Sequence, residues 1–317
     1  MRALLIVNPH ATSTTRLRRD VIARALASAV ELDIVETRYR GHATTLAAGA
    51  AAEGFGLVLT LGGDGTVNEA VNGLLRGGRD GRGTEAGRGA RSPALAPLPG
   101  GSANVFARSL GLPPDPVDAA GQVAEALIAE RCRSVGLGLA DDRYFAFNSG
   151  LGIDAEVVRA VEGRRAHGRS VSPALYLRMA LRQFYRLTDR RHPSVTLEQS
   201  GGDRHGPLFW CTVSNTSPWT YLGRRPVATN PQASFDSGLD VFGMRSLSTA
   251  STLRTLRQMM ARRSEPPRVR GTIARHDLAE LTLEADRPVA FQIDGEYVGE
   301  RERVTFRAVP HAICIVM

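Results

Sequence analysis

Lysine is absent from this chain. All 40 basic residues of its 317 are arginine. That excludes the Walker A lysine, the strand lysine of protein kinases and any Schiff-base enzyme, each of which needs an amine. Genome composition accounts for the bias equally well, and the constraint on mechanism is the same. Cysteine is scarce: Cys132, Cys211 and Cys314 are odd in number and scattered, with neither a disulfide framework nor metal-ligand spacing. No apolar run approaches the roughly 20 residues needed to cross a bilayer. The apolar part of Met1–Pro9 is too short for a signal peptide and reads as a first strand. The expectation is a cytoplasmic protein, at most peripheral at the inner membrane face. Aromatics are few as well, and the arginine–glycine stretch 76–92 has none to stack on bases. It reads as a solvated loop, not an RNA-binding segment.

What is present begins with charge. The formal net charge is +8 and the pI about 10.2, which suits anionic partners: nucleic acid, a membrane surface or a phosphate-bearing substrate. The apolar and charged fractions are those of a globular protein, and the length suits two domains.

The most informative stretch is Gly56–Gly73. Leu57–Leu61 is a short aliphatic run of the length of a buried parallel strand. Gly62, Gly63 and Gly65 break it around Asp64. From Thr66 the spacing turns helical, with Val67, Ala70, Val71 and Leu74 on one face. Strand, glycine turn and helix start make a phosphate site: bare backbone permits close approach, and N–H groups at the helix start supply donors. Asp64 would repel phosphate there unless a divalent cation stood between them.

Four strands are expected in this half: Ala3–Val7, Leu32–Thr37, Leu57–Leu61 and Ala94–Leu98. Helices are expected over Thr14–Ala29 (with Val21, Ile22, Ala25 and Leu26 inward), Ala43–Glu53 and 117–130. A second glycine turn, Pro99–Ala103, runs into a helix start that Ser102 is placed to cap. Alternating strands and helices imply a parallel sheet, and both glycine turns follow strand C-termini, where such sheets bind ligands. From Arg133 the character changes to short alternating runs: 133–139, 143–149, 193–199, 207–214, 239–244, 278–284, 288–293 and 303–307. These imply a β-rich second domain, interrupted by helices near 173–187 and 247–262. Each of those helices has Leu, Met or aromatic residues on one side and Arg on the other, as expected of a helix packed on its own domain, with a membrane-surface role as the alternative. His10 and His42 lack ligand spacing and read as incidental.

Val7-Asn8-Pro9, Gly62–Thr66 with Asn68-Glu69 behind it, and Pro99–Arg108 resemble the diacylglycerol kinase catalytic-domain family, which includes bacterial lipid kinases and the sphingosine and ceramide kinases. The resemblance continues through Phe147–Ala155, Ala233–Asp240 and Gln292–Glu296, in the family's order. The glycine turn alone is shared with NAD kinases and phosphofructokinases; the combination is more selective.

The resemblance implies an α/β N-terminal domain, phosphofructokinase- or NAD-kinase-like, over 1–131, with 305–317 packing back onto it. A β-sandwich lipid-substrate domain would cover 132–304. ATP would lie on Asn8, Pro9, Thr37, Gly62, Gly63, Asp64, Gly65, Thr66, Asn68, Glu69, Gly100, Gly101, Ser102 and Asn104. Asp294 would be the general base on the acceptor hydroxyl, with Glu296 beside it and Asp154 near the lipid head. Mg2+ would involve Asp64, and a structural metal loop Asp236, Leu239 and Asp240. Two positions depart from the family: Ser102 replaces a threonine but keeps the hydroxyl, and Ser237 replaces an acid of the metal loop. The expected activity is ATP- and Mg2+-dependent phosphorylation of a lipid alcohol, foremost diacylglycerol to phosphatidic acid, at a transiently bound anionic membrane surface. Nucleic acid is not an expected partner, and a homodimer is left open. A sphingoid or ceramide-type acceptor, NAD kinase, and a silent lipid or nucleic-acid binder are the alternatives.

Overall fold

The computed structural model describes residues 1–76, 92–165, 178–180 and 182–317. The expected loop at 76–92 lies almost wholly outside them, as does much of the expected helix 173–187. The chain divides into two compact units, Met1–Val135 with His311–Met317, and Gly136–Pro310.

In the first unit β1 (Arg2–Val7), β2 (Glu31–Glu36), β3 (Leu57–Gly62) and β4 (Ala94–Pro99) form a parallel sheet in the order β4-β3-β1-β2. The helices are α1 (Arg16–Ala27), α2 (His42–Ala50), α3 (Asp64–Arg76), α4 (Val105–Ser109) and α5 (Pro116–Ile128). Every residue of β3 is buried, as a central parallel strand covered on both faces requires. Helix α1 starts two residues later than expected because Thr15 caps it, accepting from the Arg18 N–H. Val21, expected inward, is exposed; Ile22 and Leu26 carry the contact with the core. In α3 the polar Asn68 and Asn72 are buried along with the apolar face, so this helix is enclosed on more sides than its pattern suggested.

The second unit is strand-rich: β5 (Arg133–Ala140, starting at the boundary), β6 (Arg143–Phe145), β7 (Asn148–Gly152), β8 (Val195–Gln199), β9 (Arg204–Leu208), β10 (Trp210–Ser214), β11 (Thr220–Leu222), β12 (Arg225–Val227), β13 (Leu239–Met244), β14 (Thr272–Leu278), β15 (Glu280–Ile293) and β16 (Glu296–Ile315). Pairing runs β14-β13-β10-β7-β15-β16, with β8 also on β15 and β11-β12 a separate hairpin. The expected strands 278–284 and 288–293 are one long strand, β15, whose register shifts between Glu284 and Val289. Helices α6 (Ile153–Arg165) and α7 (Thr249–Met259) accompany the strands. Its core joins Phe145, Leu151, Leu283, Phe291, Ile293, Val304 and Phe306.

The last residues of β16 return to the first unit. Ile315 pairs in parallel with Leu95, and Cys314 meets Cys132 with Cα atoms 5.9 Å apart as a disulfide. This corrects the reading of scattered cysteines without a disulfide framework: the two stand 182 positions apart in sequence, a distance that spacing rules cannot bridge. Cys211 is free and buried.

Candidate active site

The two glycine turns of the first unit are stacked on one another. The Gly100 N–H donates to the Gly62 carbonyl at 2.7 Å. A Cβ on Gly101 would lie 2.6 Å from the Gly63 Cα, and one on Gly100 would lie 2.8 Å from the Gly62 nitrogen. Glycine is therefore required at 100 and 101 for backbone to pack on backbone. Gly65 differs. It lies in the first turn of α3 without positive φ, and a Cβ there would meet nothing within 4 Å. What Gly65 leaves is open space in front of the helix start. The Thr66 and Val67 N–H groups both donate to the Gly63 carbonyl, so those of Asp64 and Gly65 precede the first intrahelical bond and are left over at the helix start.

Neighbouring loops complete this edge. The Asn8 amide donates to the Thr66 hydroxyl at 3.2 Å, and its own N–H donates to the Leu61 carbonyl at 2.9 Å. Pro9 follows, exposed, and the Thr37 N–H is fixed on the Val7 carbonyl. The Ser13 N–H donates to the Gly100 carbonyl. Beside it the Thr14 hydroxyl oxygen is buried against Gly100 and, among the described residues, has no hydrogen-bond partner. Sequence reasoning placed Thr14 inside a helix and missed it.

Asp64 points toward α4. It accepts from the Phe106 N–H at 3.1 Å. Burial raises its carboxyl above the ordinary aspartate range, opposed by the N–H groups of Val105, Phe106 and Asn104 and by the Arg108 charge. Asp64, not Ser102, thereby caps α4; Ser102 is exposed outside the helix. Asn104 adopts a left-handed φ of 48° and closes the turn on itself, its amide bridging the Gly101 N–H and carbonyl. Glu69 is turned away from this edge, accepting the Gly41 and Ala43 N–H groups at the start of α2. Asn68 is buried, and its carbonyl accepts from Asn72.

In the second unit Asp294 and Gly295 form the two-residue turn between β15 and β16, with φ of 48° and 74°, the geometry of an Asp-Gly hairpin. The Asp294 carboxylate is buried and accepts three backbone N–H groups: Ala146 at 2.7 Å, Phe147 at 3.0 Å and Asn148 at 3.2 Å. Gln292 links this turn to Asp154. Its oxygen accepts the Gly295 N–H, and its amide donates to Asn148 at 2.9 Å and to Asp154 at 3.2 Å. Burial pushes the Asp154 carboxyl up to about 6, against the lowering effects of the Ala155 N–H and the Gln292 amide. The Trp210 indole N–H also lowers it, although among the described residues it completes no full hydrogen bond. Glu296 pairs with Arg143. Asn148 and Gln292 were not singled out from sequence, although both lie in the stretches that carried the resemblance.

The expected metal loop is held by protein groups. Asp240 is buried and accepts from His276 at 2.7 Å and from the Asp277 N–H, while Asp277 accepts the Gly238 N–H at 2.6 Å. Burial raises the Asp240 carboxyl, and His276 opposes this. Among the described residues no three His, Cys, Asp or Glu side chains group to hold a metal ion. The donor set at Asp236, Leu239 and Asp240 does not fit a resident ion.

Comparison with known proteins decides the class. A family model described as the diacylglycerol kinase catalytic domain matches residues 2–139. Residues 2–139 thus resemble that catalytic domain. The chain is 26% identical over 314 residues to a probable lipid kinase YegS-like protein of Chromohalobacter salexigens, covering 98% of this chain and 91% of that one. It is 34% identical over 155 residues to the diacylglycerol kinase of Bacillus subtilis, spanning 48% of this chain and 46% of that enzyme. The crystal structure of a diacylglycerol kinase from Bacillus anthracis str. Sterne shares the fold, with a TM-score of 0.69 at 20% identity over 99% of this chain and 96% of that one. The fold is thus shared with that structure, and the protein is a phosphotransferase with an alcohol acceptor. The lipid-kinase family that it resembles implies use of ATP.

Proposed function

We propose that the protein phosphorylates the hydroxyl of a lipid alcohol, diacylglycerol foremost, from ATP. The observation carrying the reading is the stacked pair of glycine turns with open space at Gly65. The residues there fit a phosphate chain: N–H groups left over at Asp64 and Gly65, a side-chain-free approach, and the unpartnered Thr14 hydroxyl. ATP supplies the phosphoryl group, and Mg2+ would neutralise charge on its phosphates, with Asp64 the acid at hand. Asn8 and Thr66, bonded to each other, hold the cradle's shape.

Asp294 is the group we assign to accept the acceptor hydroxyl's proton. Three N–H donors fix its orientation, and donors of this kind favour the ionised form of a carboxylate. A loose phosphoryl transition state asks more for positioning than for base strength. Asp154 is the second reading, because its carboxyl, pushed up to about 6, is the better-tuned base. No helix among the described residues is long and apolar enough to cross a membrane, so a bilayer-borne acceptor would be met at a surface. The test is a panel of diacylglycerol, ceramide, sphingosine and NAD with radiolabelled ATP and Mg2+. Label in phosphatidic acid supports the proposal; label only in NADP, or in none, overturns it.

A further inference from the structure

Helix α7 is turned the wrong way for a helix that ends at its own core. Its buried face holds Thr255 and Met259, and the hydroxyls of Ser251, Thr252 and Thr255 are buried without a hydrogen-bond partner among the described residues. Its leucines face out, Leu253 at 59% and Leu256 at 40% exposure. Burying three bare hydroxyls while exposing two leucines reverses the usual preference. The sequence expectation for 247–262, apolar side packed inward, fails here.

Beside this face runs a groove of about 820 Å3, lined by Pro218, Pro226, Met259, Met260 and four arginines, Arg224, Arg225, Arg262 and Arg263. The β11–β12 hairpin forms one wall. Arg225 donates to the Met260 carbonyl at 3.0 Å, which docks the hairpin on the end of α7, and its cross-strand partner Leu222 is 54% exposed. Segments 217–231 and 249–263 together hold six arginines and no Asp or Glu. Among the described residues none of Arg224, Arg225, Arg254, Arg257, Arg262 and Arg263 makes a salt bridge.

We propose that this face docks on a bilayer surface bearing anionic phospholipid. Leu222, Leu253 and Leu256 would enter the acyl boundary, while the groove arginines take the phosphates. Exposed leucines alternating with unpaired cations match an amphiphile of apolar tail and anionic head, and the lack of acids leaves nothing to repel it. The position also suits a lipid kinase: the Trp219 carbonyl, just before the hairpin, accepts the Asn148 side-chain amide, and the Asn148 N–H binds Asp294. The inference rests on the lipid-kinase reading for its purpose but is measured without catalysis.

The experiment is co-sedimentation of the full chain, without ATP, with phosphatidylcholine vesicles with and without phosphatidylglycerol. Arg262→Glu/Arg263→Glu is compared with a control of equal charge change, Arg16→Glu/Arg24→Glu on α1. Affinity for anionic vesicles is expected to fall at least about tenfold in the groove variant and far less in the control; Leu253→Ser/Leu256→Ser is expected to lose binding with its charge intact. Equal loss in both arginine pairs would reduce the effect to net charge and overturn the proposal. So would unchanged binding in the groove variant, or tighter binding to a duplex oligonucleotide than to vesicles. Turnover in neutral detergent micelles separates the two ideas. The groove variant is expected to keep it, and absence of turnover in the wild type would strike the function while leaving the docking result standing.

Discussion

The glycine cradle of the first unit and the Asp294 turn of the second solve opposite problems. The cradle works by what is missing. Gly62, Gly63, Gly100 and Gly101 let two turns pack backbone to backbone, and Gly65 leaves the approach clear. At Asp294 a side chain is pinned by three backbone donors, two from the loop before β7 and one from its first residue. A cradle built from absences is broken by adding one methyl; a pinned carboxylate is broken by removing one charge. Glycine is thus informative in a bare sequence, while an Asp-Gly pair is ambiguous between turn and catalyst.

The largest effect is expected at Asp294. Asp294→Asn is predicted to lower kcat by about 10²–10⁴. Its amide would also turn an N–H toward the Ala146–Asn148 donors, so stability should fall by about 1–3 kcal/mol, a loss visible in the melting temperature. A stability loss with kcat intact would leave Asp294 as a turn anchor only and move the base to Asp154.

Next come the glycines, which sharpen the comparison within the cradle itself. Gly101→Ala forces a Cβ against the Gly63 backbone and should cost about 1–3 kcal/mol of stability. Gly65→Ala faces open space on a helix and should gain up to about 1 kcal/mol, and Gly65→Val should abolish ATP binding while the protein stays folded. Calorimetry with ATP on folded Gly65→Val decides the matter: unchanged affinity would mean the open space is not a phosphate site.

The smallest expected effect is a pH dependence at Asp154. Its folded value of about 6 lies above the unfolded value of about 3.9, so the folded state holds the proton more tightly. The stabilisation this gives is present below about pH 4 and lost as pH rises through about 6. Asp154→Asn removes that dependence. Between about pH 4 and pH 8 the variant should gain on the order of 2 kcal/mol relative to wild type, read from denaturant melts. A constant difference between the two proteins at both ends of that range would show that Asp154 does not titrate there.

The sequence by itself determined the alternation of β1 to β4 with their helices, the switch to strands after Arg133 and the two glycine turns, because these are local patterns of burial and backbone freedom. It also carried the family resemblance through motifs that lie in order along the chain. Tertiary structure alone decided what each polar side chain serves. Glu69 sits one residue beyond Asn68 yet caps α2, Asp64 caps α4 in place of Ser102, and Asp240 goes to His276 where an ion was expected. Spacing cannot foretell such choices, since the partner N–H groups come from segments far away in the chain. The same holds for Cys132 and Cys314, and for α7, whose Met259 joins the core of Trp210, Phe242 and Met244 while its leucines face outward.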